Sequence, residues 1–303
     1  VAAAAALGIG PCDDLQVIRV GTSMLLECPS AGVLFRVDDQ VPADRAQRQV
    51  AVASVLEASG VPAVRLVGGH GQPVVIDGPA VFGEPVVAVS AWQLEQLTDV
   101  PVVPAEMGVL ARQLHDVSTG DAEQRGVPPF EPFNAITEQL AMAAGSAATG
   151  PDDLELLGGL TSRLAGAWPR AVADAAASSS GAGLGLVHGD FHAGNVLATA
   201  RGLIVADLEL AGIGPVAYDL AAVVVAVERY GAPASTMDEF VSGYGQPIPP
   251  EARHGVLRDT YELWLTAWAV ANRHLDDVHE LEARARLARW QGPLDQVPQW
   301  ALL

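Results

Sequence analysis

The chain has 303 residues, enough for one large domain or two modest ones, and its 50% hydrophobic content supplies a substantial core and excludes disorder. A formal charge of −19 argues against nucleic acid or an anionic membrane surface as partner, and suits a cationic ligand or plain solubility. All 17 basic residues are arginine, so a phosphate must be met by Arg, His, a metal or a helix N-terminus.

The opening VAAAAALGIG is apolar but lacks the basic flank of a secretory signal. No stretch reaches the ~18 apolar residues that span a membrane. Cys12 and Cys28 show no metal-ligand spacing and can form at most one disulfide, so a reduced cytoplasmic chain is the expectation. LQVIRV, MLLEC, VLFRV, AVRLV, PVVID and PVVAVSAW then read as short strands, β-branched and bounded by Gly or Pro. Between the third and fourth, Pro42 to Ser59 carries a helical apolar pattern that Gly60 and Pro62 end. From about Pro104 helices dominate: PAEMGVLARQLHDV, FNAITEQLAMAA and DDLELLGGLTSRLAGAWPRAVADAA precede a flexible Ser178 to Gly185. YDLAAVVVAVERYG, MDEFVSGYG, HGVLRDTYELWLTAWAVANRHL and HELEARARLARW follow. The expected fold is therefore α+β, with residues 1–92 as a lobe of five or six strands and one helix, and 93–303 as a larger helical lobe.

The segment LVHGDFHAGNVLATARGLIVADLEL, residues 186–210, places polar side chains where core packing gives no reason for them. LGLV reads as a strand, HGDFHAGN as a tight loop, and VLAT with LIVAD as a hairpin turning at Ala200 to Gly202. Asp190, Asn195 and Asp207 then converge. One amide and one carboxylate suit Mg²⁺, which takes its remaining coordination from water and phosphates. The separate carboxylate of Asp190 is left to orient a hydroxyl and accept its proton. That division of labour fits in-line phosphoryl transfer.

HGDFHAGN followed by ADLE resembles the catalytic loop and metal motif of the aminoglycoside phosphotransferase-like family of kinase-like small-molecule phosphotransferases. GIGPVAYDLA, VLFRV with RQVAVASVLEASGVPAV, MGVLARQLHDV and LRDTYELWLTAW resemble further family segments, so the likeness covers nearly the whole chain. It implies a bilobal protein-kinase-like fold, ATP and Mg²⁺ as cofactors, Asp190 as catalytic base, and Asn195 and Asp207 as metal ligands. His188 braces the loop, His192 packs or contacts phosphate, Glu209 aids a second ion or sits exposed on a turn, and Asp219 caps or braces the loop. Arg36 stands where kinases carry the strand Lys, and Gln49 where they carry the helix Glu; Gln49 can offer only an amide oxygen. The phosphate loop is thin, with Gly21, Thr22 and Ser23, and the adenine hinge falls around Ser90, Ala91 and Trp92. The resemblance also implies a small cationic acceptor, an aminoglycoside-like antibiotic or an amino sugar or amino alcohol. Glu228, Asp259 and Glu262 are its candidate acidic contacts, against a solvated helix face, and Trp264 and Trp268 either wall the pocket or pack as an ordinary stripe. Two other readings compete. One is a pseudokinase that binds without turnover, motivated by Arg36 and Gln49. The other is a metal-dependent hydrolase using the H-x-D-x-H spacing of His188, Asp190 and His192.

Overall fold

The computed structural model describes residues 2–20, 23–38, 44–68, 71–77, 86–178, 183–293 and 297–301. The chain divides into two compact units. The first holds Val1–Val103, Asp116–Pro128 and Ala193–Gly212, and the second holds Pro104–His115, Pro129–His192 and Ile213–Leu303.

In the first unit, β1 (Gln16–Val20), β2 (Met24–Cys28), β3 (Val33–Asp38), β4 (Val74–Asp77) and β5 (Val86–Gln93) form an antiparallel sheet ordered β1-β2-β3-β5-β4. Side chains alternate across a strand, so β3 divides cleanly. Val33, Phe35 and Val37 face a core shared with Val87, Val89 and Ala91, and Arg36 and Asp38 take the other face. A short N-terminal helix, α1 (Ala2–Ala6), closes that core with Ala3, Ala4 and Leu7. On the other face α2 (Asp44–Ala58) packs Ala46 against Ala88, and Gly60 at φ 71° terminates it.

Two expectations fail in this unit. AVRLV is not a strand: Ala63 bridges to Val205 and Leu66 to Trp92, so the segment serves two partners in turn and neither ladder extends. Cys12 and Cys28 are joined in a disulfide with Cα atoms 5.8 Å apart, so they are not reduced thiols. The unit also holds α4 (Thr119–Gln124), whose Ser118 cap accepts from Asp121 N–H, and the hairpin of β7 (Val196–Thr199) and β8 (Gly202–Val205). Leu97 bridges to Thr199 on the hairpin's outer edge.

The second unit is mainly helical: α3 (Pro104–His115), α5 (Pro132–Ala144), α6 (Pro151–Ala176), α7 (Ala217–Glu228), α8 (Ser235–Tyr244), α9 (Pro250–Arg253), α10 (Val256–Asn272) and α11 (Asp277–Gln291). The small pair β6 (Leu184–Val187) and β9 (Gly212–Pro215) lies among them. Helix α10 packs against α5, α6, α7 and α11 and is buried nearly all round, from Leu257 through Tyr261, Glu262 and Leu263 to Val270. A helix so enclosed must satisfy its polar side chains internally. Helices α3 and α8 meet at glycines, because a Cβ on Gly108 would lie 2.1 Å from Phe240 O and one on Gly243 1.8 Å from Ala105 O.

Candidate active site

The hairpin register pairs Val196 with Val205 and Thr199 with Gly202, as its turn residues require. Thr199 Oγ1 closes the turn, donating to Gly202 O at 2.9 Å and accepting from Arg201 N at 3.1 Å. One further bond, Ala206 N to Asn195 O at 2.9 Å, carries the pairing to the open end. Asn195 and Asp207 therefore leave the hairpin from the same end. Asp207 sits at φ 57°, a left-handed conformation that Asp tolerates better than most residues and that recurs at functional sites.

Arg36 meets this end. Its Nη1 donates to Asp207 Oδ1 at 3.3 Å, its Nε to Asp38 Oδ1 at 3.4 Å, and its Nη2 to Glu209 Oε2. Arg36 is thus no snorkelling strand residue, since its guanidinium is buried and engages three carboxylates. Burial works against that charge, yet Glu209, Asp38 and Asp207 together hold it above the ordinary arginine range. Glu209 is no exposed turn residue either. Burial and the neighbouring Asp207 raise its carboxyl, while Arg36 and Arg45 pull it down. The carboxylates gathered on Arg36 offer oxygen donors, the kind a hard divalent cation prefers, although among the described residues no group of three or more His, Cys, Asp or Glu is arranged to hold a metal ion.

The nucleotide-side expectations fare unevenly. Ser23 is buried in the β1–β2 turn, and Gly21 and Thr22 lie outside the described residues. Gln49 is buried on α2, but its Nε2 has no hydrogen-bond partner among the described residues, and the donors of Arg36 go to carboxylates instead. Ser90, Ala91 and Trp92 do not form a hinge. They lie inside β5, paired to Arg36, Phe35 and Leu34 on one side. On the other side Ala91 N donates to Gln72 Oε1 at 2.7 Å and Ala91 O accepts from Val67 N at 2.9 Å. Trp92 Nε1 donates to Ser90 Oγ at 2.8 Å, so even their side chains satisfy each other. Both edges of the strand are taken, and no backbone group at Ala91 is left for a base.

In the second unit, β6 runs into the loop through His188, Gly189 and Asp190. Gly189, at φ 84°, makes the turn that an L side chain would strain. The buried carboxylate of Asp219, on α7, accepts from His188 N at 2.6 Å and Gly189 N at 2.9 Å. His115 on α3 holds Asp219 in turn, with Nε2 3.1 Å from Oδ2 and Nδ1 2.9 Å from Tyr244 Oη. His188 is fully buried, and its Nδ1 accepts from Asp190 N at 3.2 Å. His188 thus braces the loop through the backbone of Asp190. His192 is not packed away: its side chain is 43% exposed, with Nε2 3.3 Å from Asp190 Oδ2. The Asp190 charge also reaches Tyr218 and Tyr261, whose phenols burial raises first and Asp190 next. Sequence reasoning missed this aromatic surround and the His115 relay, because neither forms a motif along the chain.

Among the expected acceptor contacts, only the surface reading of Glu262 is overturned by its burial. Glu262 is fully buried and bound by Arg229 at 3.2 Å, by Arg258 at 2.8 Å, and by Arg289. It is neither a solvated face nor a free carboxylate for an amine. Asp259 pairs with Arg289 at 2.8 Å, and Glu228 with Arg258 at 2.7 Å. Trp264 and Trp268 pack against the core of Ile136, Leu157 and Leu263, as an ordinary stripe does.

Comparison with known proteins follows the same lines. The model of the phosphotransferase enzyme family matches residues 29–256. No curated protein matches the chain. Among solved structures, an amicoumacin kinase in complex with AMP-PNP and Ca²⁺ is similar over 97% of this chain and 92% of its own, at 14% identity and a TM-score of 0.65. A microcompartment-associated aminopropanol kinase is similar over 91% and 89%, at 18% identity and a TM-score of 0.64. An aminoglycoside phosphotransferase, APH(3'')-Id from Streptomyces rimosus, is similar over 84% and 94%, at 16% identity and a TM-score of 0.59.

Proposed function

The chain belongs to the phosphotransferase enzyme family, and from that premise we propose that it moves the γ-phosphoryl group of ATP to a hydroxyl of a small, cationic acceptor. The observation that carries this reading is the Asp190 loop. Its backbone is clamped by buried Asp219, its own N–H is held by His188, and its carboxylate lies against half-exposed His192. A loop backbone held this firmly presents the Asp190 carboxylate to an acceptor hydroxyl with little reorganisation.

In this reading Asp190 accepts the proton as the acceptor oxygen bonds to phosphorus and the bond to ADP breaks. Asn195 and Asp207 would hold Mg²⁺, with Glu209 in support. When bound, that cation neutralises charge on the transferring phosphates. Arg36 turns its guanidinium to the α- or β-phosphate, a planar fork where a lysine would be a point charge. The acceptor's charge is met by the carboxylate of Asp190. An amine-bearing alcohol fits these demands, and named relatives that act on aminopropanol or on aminoglycosides support it. We place the enzyme in the cytoplasm, where its donor is made; the Cys12–Cys28 disulfide is the observation against that placement. No helix among the described residues is long and apolar enough to cross a membrane.

The test is ATP consumption across aminoglycosides, other antibiotics, amino sugars and amino alcohols. Stimulation by at least one amine-bearing alcohol is expected. Turnover confined to neutral or anionic acceptors would sink the cationic-acceptor reading. Silence across the panel, with ATP still bound, would make the chain a binding protein without turnover.

A further inference from the structure

We infer that Arg36 is the resident counter-ion of the metal-binding carboxylates. In the nucleotide-free protein it neutralises Asp207 and Glu209, and it must release them as the cation arrives and the phosphates take its guanidinium. Metal and nucleotide then enter together, and neither binds well alone. The inference rests on the reading of Asp207 as a metal ligand and adds what occupies that ligand beforehand.

Three observations carry it. The guanidinium spends its donors on carboxylates: Nη1 on Asp207, Nη2 on Glu209 and Nε on Asp38. No described hydrogen bond of Arg36 goes to helix α2, whose Gln49 is buried with its Nε2 unpaired among the described residues, so the guanidinium's described partners are carboxylates alone. The ties differ in kind. Asp38 is buried two residues along the same strand and faces the same way as Arg36, so it can keep hold of the cation throughout. Asp207 has a side chain 38% exposed and sits in a left-handed conformation, so it is the contact most easily exchanged. Asp38 is then the tether, and the bonds to Asp207 and Glu209 are the ones handed over. A mobile lysine would leave those carboxylates at little cost, whereas a planar fork engaged on three of them leaves only when another cation replaces it.

Mn²⁺ alone, followed by electron paramagnetic resonance of the free ion, is the probe. Wild type should bind it weakly, and Arg36→Gln should bind it about tenfold more tightly, as loss of a close charge pair allows. The same variant should bind Mn²⁺ with AMP-PNP more weakly than wild type, because the phosphates have lost their guanidinium. Arg36→Lys, which keeps a charge without the fork, should fall between the two for Mn²⁺ alone. A folded Arg36→Gln that binds Mn²⁺ no better than wild type overturns the inference. If that variant fails to fold, Arg36→Lys with wild-type Mn²⁺ affinity overturns it instead. Asp207→Ala separates the two layers. Unchanged Mn²⁺–AMP-PNP affinity there removes Asp207 from the metal site and overturns the inference with it, whereas lost affinity supports Asp207 as the ligand that Arg36 covers.

Discussion

At the scale of single residues, the proposed base Asp190 is the most tightly framed. Its neighbours fix the loop through the backbone: Asp219 takes the N–H of His188 and Gly189, and His188 takes that of Asp190 itself. Asp190→Asn should therefore fold normally and bind nucleotide normally, since none of these bonds involves its carboxylate. Transfer should fall on the order of 10²–10⁴-fold, the range for loss of a general base. Single-turnover assays with acceptor present, set beside calorimetry with ATP and Mg²⁺, give both readings. Near-normal turnover would remove Asp190 from the reaction.

Elements place these residues, and two contacts between elements are open to test. Helix α3 brings His115 to Asp219, and α3 itself rests on α8 through glycines with no room for a methyl group. A Cβ at Gly108 would lie 2.1 Å from a carbonyl oxygen, so Gly108→Ala must part the helices. Overpacking of this kind costs about 1–3 kcal/mol, and a clash against backbone puts it at the upper end. A lowered thermal midpoint and a smaller kcat, as His115 shifts, are expected; an unchanged midpoint would mean that the helices sit farther apart. In the first unit the Cys12–Cys28 bond ties the segment after α1 to β2 across a 16-residue separation. A loop of that size is worth about 3 kcal/mol. Reductant should lower the midpoint accordingly, and free-thiol titration of the untreated protein should find none.

At the scale of the whole molecule, the second unit is organised around a charge. Glu262 lies on the enclosed helix α10 and draws Arg229, Arg258 and Arg289 to it. Burial alone would raise its carboxyl, but Arg289, Arg258 and Arg229 outweigh burial and hold it below the ordinary range. The sign follows. A depressed folded value means that the stabilisation is complete above the unfolded glutamate value of about 4.3 and is lost as pH falls below it. Glu262→Gln should cost about 3–5 kcal/mol near neutrality, because it leaves guanidinium groups buried without their carboxylate. Thermal melts from pH 7 downwards should show the gap between wild type and variant narrowing below about pH 4. A gap independent of pH would show that the lost stability is packing alone. The same substitution should leave acceptor affinity unchanged in protein that remains folded.

Much of this was legible along the chain. The spacing from Asn195 to Asp207 places both at the open end of one hairpin, because a hairpin of fixed length sets which residues leave it together. Helical periodicity marked α2, α3, α5, α6 and α10, since it depends only on residues a turn apart. What it cannot carry is what lies on either side of an element. Ser90, Ala91 and Trp92 look like an exit from a strand, but neighbours on both edges make them its interior. Glu262 looks like a helix surface because Asp259 stands three residues before it; only the packing of other helices around α10 turns that face inward and calls in arginines from α11 and from the end of α7. Arg36 follows the same rule. Its strand position is local, but its partners Asp207 and Glu209 stand 171 and 173 residues away, and contacts at that distance exist only once the chain has folded.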